Sequence, residues 1–189
     1  MKVIRGISML VVISVLFACA SKSNSPKVLH GDFFAEADIN PGEDGKARPI
    51  VVFIYYLRNE VEFNKADFLS LYRNPVETLG DSLASFSKYQ LSPKQGLSFQ
   101  DELSPDVQVV GVVASYRNID HATWRTIAPL PDKSWYSLGD RISDDLSIRV
   151  MKDEVVVWFG KKAPQDEQTE KPVDTYQSAP HKKFKTTTK

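Results

Sequence analysis

Cysteine is almost missing from this chain of 189 residues, the one present being Cys19. A single cysteine forms no internal disulfide and no cysteine-based metal cage, so any domain here must fold on its apolar core alone. Histidine is scarce too, with only His30, His121 and His181. No Gly-x-Ser-x-Gly turn offers a serine nucleophile, and no glycine-rich loop is built to cradle phosphate. An excess of charge is also lacking: 24 basic residues face 24 acidic ones. That balance leaves no cationic face for a phosphate backbone, which excludes ordinary nucleic-acid binding. After the first 18 residues no apolar run reaches the length of a membrane span. No internal repeat is visible.

What is there begins at the N-terminus. Lys2 and Arg5 precede an uncharged, largely apolar run over residues 7–18. Twelve helical residues rise only about 18 Å, short of a hydrocarbon core about 30 Å thick, so this is the central region of a signal peptide. The stretch VISVLFACAS, residues 12–21, resembles a bacterial lipobox, in which a small residue (here Ala18) precedes the cysteine that receives lipid. Cys19 is therefore the expected lipidation site, and covalent lipid is the only non-protein group expected. Ala20 rather than Asp follows it, which in such lipoproteins goes with an outer-membrane destination. Removing residues 1–18 leaves 171, enough for one domain. Residues 19–27 are small and polar, a flexible tether.

Residues 28–160 read as a β-rich domain. Eight strands are expected, over residues 31–39, 50–57, 86–91, 97–100, 107–116, 122–128, 146–150 and 155–160. IVVFIYYL at 50–57 is apolar at every position, so both its faces should be covered. VVGVVA within the fifth strand carries no charge or proline and suits the middle of a sheet, while Gly111 inside it suggests a bulge or a close approach by another backbone, with simple core packing the more frequent cause. Between the second and third strands the period turns helical, over about residues 64–84. Asn64 is the expected cap of a first short helix, with Phe68, Leu69, Leu71 and Tyr72 as its apolar stripe. Asn74 caps and Pro75 opens a second, lined by Val76, Leu79 and Leu83. After Gly160 the apolar pattern stops, and residues 161–189, with 7 basic and 4 acidic residues, are expected to be a disordered charged tail.

Candidate chemistry is sparse. His121 beside Asp120 reads as a turn residue. The pairs Asp101-Glu102, Asp144-Asp145 and Asp153-Glu154 read as solvated turns, since consecutive residues point apart. The loop at 39–49 places Asp38, Asn40 and Gly42 at alternate positions, yet it lacks the glycine and the bidentate glutamate of a calcium loop. The chain is thus read as a non-enzyme with no metal. A rival reading is a lipoprotein that binds peptidoglycan or carbohydrate through Trp124, Trp135 and Tyr136.

Five segments in order carry a family resemblance: PIVVFIYYL at 49–57, FNKADFLSLY at 63–72, TLG at 78–80, VVGVVASYRNID at 109–120 and the pair Trp124-Arg125. The chain resembles the TssJ (VasD, SciN) outer-membrane lipoproteins of the bacterial type VI secretion system. The resemblance implies a mainly β fold: a two-sheet, transthyretin-like β-sandwich with a short inserted helical hairpin. It also implies a structural role, anchoring the transenvelope secretion complex to the outer membrane by binding the periplasmic domain of TssM and, through it, TssL. In that family the loop between the first two strands takes part in the contact. Here it falls on Asn40, Pro41, Gly42, Glu43, Asp44, Gly45, Lys46 and Ala47.

Overall fold

The computed structural model describes residues 27–131, 145–160 and, as backbone, 182–185. Among these, nine strands form two sheets: β1 (Lys27–Ala35), β2 (Ile50–Leu57), β3 (Leu83–Leu91), β4 (Gly96–Leu103), β5 (Val109–Ala114), β6 (Arg125–Pro129), β7 (Leu146–Val150), β8 (Val155–Phe159) and β9 (Lys182–Lys185). One sheet runs β4-β1-β7-β8 and the other β6-β5-β2-β3-β9. β1 and β7 pair parallel, whereas the neighbouring pairs around them are antiparallel. The two-sheet sandwich with a helical insertion is the expected architecture; the signal segment and the tether up to residue 26 lie outside the described residues.

β2 shows why the fold holds together. Its alternate residues Val52, Ile54 and Tyr56 enter the core between the sheets, beside Leu29, Phe33, Val112 and Ile148. Phe53, Tyr55 and Leu57 point the other way, into a second apolar layer with Phe63, Leu71 and Leu79 from the insertion. That second layer explains the unbroken apolar run: each face of the strand is buried by a different part of the chain.

The insertion is three short helices, α1 (Val61–Lys65), α2 (Phe68–Arg73) and α3 (Pro75–Leu79), then a 3-10 turn over Gly80–Ser82. It starts three residues earlier than the helical period suggested, and Asn64 lies inside α1 rather than capping it. Asp67 is the cap instead, its carboxylate accepting from the Ser70 backbone N–H at 3.0 Å. Asn74 precedes Pro75 at N1 as expected but makes no side-chain cap bond. Gly80, at φ 47°, ends α3 in a backbone region that glycine enters without strain. Gly111 leaves room for the Phe63 ring, which would sit 2.7 Å from a Cβ placed there, so close approach rather than a bulge accounts for the glycine.

Three other expectations move. The first strand ends at Ala35, not Ile39: the Glu36 N–H makes the last bond of the β1–β7 ladder, to Val150 O, and the chain then turns, with Ile39 buried in the loop that follows. β4 extends to Leu103, which takes Asp101 out of a solvated turn and into the interior, 1% exposed. The tail, expected to be without structure, contributes β9 at the edge of the second sheet. Its other residues lie outside the described ones.

Candidate functional site

The strand registers define two ends of the sandwich. β1 begins at Lys27 opposite Leu103, and Leu57 pairs with Val109, Val109 with Pro129 and Leu146 with Phe159. The chain therefore enters the domain at the end where β2, β4, β6 and β8 finish. The loop between β1 and β2, the segment 115–124 and the β7–β8 turn share the opposite end, one nine-residue strand or about 26 Å away.

At that far end the loop is braced through Asn40. The residue is buried, and its φ of 48° turns the chain sharply. Its side-chain amide donates to Pro49 O at 2.9 Å, closing the loop's two arms. Its side-chain oxygen accepts from the Arg117 N–H at 2.8 Å, and its own N–H donates to Lys152 O at 3.1 Å. One residue thus joins all three segments of this end. Further out, Gly42 N–H donates to Lys46 O and Gly45 N–H to Gly42 O, both at 2.9 Å. Asp44 accepts from the Lys46 N–H and pairs with Arg48 at 2.9 Å. Glu43, Asp44, Gly45 and Lys46 are exposed, Pro41, Gly42 and Ala47 partly so. The tip is a preformed, charged projection, and its shape comes mostly from backbone bonds.

Beside the loop lies a cavity of about 220 Å³, lined by Pro41, Gly42, Asn118, His121, Lys152 and Asp153 among others. Tyr116 forms part of its wall; its hydroxyl donates to Glu154 O and to Met151 O. Burial, then the charges of Asp153, Glu154 and Glu36, push this phenol above the ordinary tyrosine value. Sequence reading placed only the loop here. His121 and the 151–154 turn join it through folding, and only the polar composition of those turns hinted at it.

The remaining candidates do not converge. His30 lies on β1 and His121 at the far end, and among the described residues no three metal-capable groups cluster. Asp101 takes hydrogen bonds from the hydroxyls of Tyr56 and Ser87 between the two sheets, with Tyr89 at 3.3 Å, and so ties the sheets together. Trp124 packs edge-on against Phe68, with the Arg125 guanidinium 5.0 Å from its ring, and so braces the insertion. Cys19, Asp144, Trp135, Tyr136 and His181 lie outside the described residues.

The profile of the family described as type VI secretion lipoprotein, VasD, EvfM, TssJ, VC_A0113 matches residues 27–159. The chain belongs to this type VI secretion lipoprotein family. Its fold is similar to the T6SS lipoprotein TssJ1 of Pseudomonas aeruginosa, at 26% identity and a TM-score of 0.64, over 74% of this chain and 99% of that one. Lip of Serratia marcescens, a membrane-bound component of the type VI secretion system, is 30% identical with a TM-score of 0.63, over 73% and 99%. A chain of a type VI membrane complex shares the fold, at 23% identity and a TM-score of 0.59, over 70% and 98%. No curated protein matches the chain. As a member of the TssJ family, this chain is a lipoprotein component of a type VI secretion apparatus.

Proposed function

We propose that the chain is a structural, non-enzymatic tether, lipidated at Cys19 in the outer membrane, that holds the secretion complex by binding the periplasmic domain of TssM and, through it, TssL. The observation that carries this reading is the separation of the two ends. With lipid attached before Lys27, the loop of residues 40–47 lies at the end of the domain opposite the anchor, about a strand length from where the chain enters. A projection already fixed by its own backbone bonds loses little conformational freedom when a partner docks, so more of the contact energy appears as affinity. Glu43, Asp44 and Lys46 offer charge-assisted bonds, and the adjoining cavity can receive a partner side chain.

Asn40 belongs to the scaffold of this site rather than to its contact surface, so the test leaves it in place. The triple variant Glu43→Ala, Asp44→Ala, Lys46→Ala should keep the thermal unfolding midpoint and bind the TssM periplasmic domain at least about tenfold more weakly by calorimetry, a loss of about 1.4 kcal/mol. Unchanged affinity would remove the loop from the docking surface.

A further inference from the structure

The family match ends at residue 159, but the chain continues and returns as β9. The register is defined: Ser85 opposite Lys185, Phe86 opposite Phe184, Ser87 opposite Lys183 and Lys88 opposite Lys182. Without β9 the second sheet would end at β3, nine residues long, free of proline and with Lys88 as its one charge. A long edge of that kind is a template for pairing with other chains, which proteins ordinarily blunt. The opposite edge of the same sheet, β6, is five residues long and finishes at Pro129.

We propose that the β3 edge at residues 85–88 is a strand-accepting site whose ligand is the chain's own basic segment, residues 182–185, held in cis and exchangeable. Twenty-one residues separate Gly160 from Lys182, so the segment stays near its site at an effective concentration of about millimolar, enough for the cis arrangement to win in dilute solution. Exchange follows from how little holds it. The ladder is only four residues long, so few backbone hydrogen bonds hold the segment at the edge of the sheet. Bound, the segment closes the sheet; released, it frees both an open edge and a cationic peptide.

Amide hydrogen exchange on the full chain, on a variant ending at Pro180, and on the double variant Lys183→Pro, Phe184→Pro tests this. Alternate N–H groups face a neighbouring strand, so replacing two consecutive residues removes at least one ladder donor whichever way the segment is set. Exchange over residues 85–88 should be at least about fivefold faster in both variants, while β5 exchanges as before and so reports an intact fold. A synthetic peptide of residues 181–189, added to the truncated protein, should restore slow exchange. Equal exchange in all three proteins would overturn the proposal. So would protection in the full chain that vanishes on hundredfold dilution, because the strand would then come from a second copy.

Discussion

The two ends of the sandwich are closed by opposite means. Where the chain enters, Arg58 crosses three segments: its guanidinium donates to Leu83 O at 2.7 Å, to Asp81 O at 2.9 Å and to the Asp106 carboxylate. That carboxylate is held below its ordinary value by the Ser104 hydroxyl first and by Arg58 as well. The end is stitched shut by one side chain. At the far end Asn40 also joins three segments, yet it does so from inside, leaving the loop tip charged and exposed and a cavity beside it. In the proposed tether the far end presents a rigid surface to a partner, while at the near end Arg58 ties the end of β2 to the turns before β3 and β5.

The largest effect expected comes from removing the proposed lipid attachment at Cys19. Cys19→Ser should move the protein from the membrane fraction to the soluble one and abolish secretion, while the purified domain unfolds and binds its partner as before. Multiple acyl chains are what make such anchoring stable. Partner binding lost together with the lipid would mean that the two ends are not independent.

Asn40→Ala comes next. It leaves Pro49 O and Arg117 N–H without their partner and forces alanine to φ 48°. The cost should be about 2–4 kcal/mol in urea unfolding, with partner affinity falling as well. Asn40→Gly should recover about 1 kcal/mol of that by relieving the backbone. Arg58→Ala should cost about 1–3 kcal/mol, because three acceptors lose a charged donor, and partner affinity should stay the same. If Arg58→Ala weakened binding as much as Asn40→Ala, the contrast between the ends would fail.

The smallest effect is read most clearly in alkaline solution. Tyr116 has its pKa raised in the folded state, so the stability it contributes is complete below pH 10 and is lost as pH rises past 10, where the unfolded phenol ionises first. Tyr116→Phe should therefore reduce the alkaline slope of unfolding free energy by about 1.4 kcal/mol per pH unit, and at pH 7 it should cost about 1 kcal/mol for the hydroxyl's lost bonds to Met151 O and Glu154 O. An unaltered slope would mean that the phenol at the far end is already free to ionise.

Much of the fold was legible because β periodicity is local. The all-apolar run of β2 announced two covered faces, and Gly111 announced a special position, although its neighbour is the Phe63 side chain and not another backbone. Strand and helix limits were less legible because long-range contacts set them. Asp101 looked like a turn residue until the hydroxyls of Tyr56 and Ser87, 45 and 14 positions away, met it between the sheets. Asp67 displaced Asn64 as a cap because α1 already occupies residue 64. The candidate loop could be found as a polar, glycine-rich interruption, but Asn40's structural role could not. Its partners Arg117 and Lys152 lie 77 and 112 positions along the chain. The pairing of β9 with β3 was hidden by composition, because lysine-rich sequence reads as solvated tail whether or not its backbone finds an edge.

Hydrogen exchange of the lipoprotein with and without the TssM periplasmic domain examines both ends at once. The account predicts slowed exchange at residues 40–48, 115–124 and 151–154, and no change at residues 58, 81–83 and 104–107. Protection confined to the second group, with the loop exchanging as in the free protein, would contradict it.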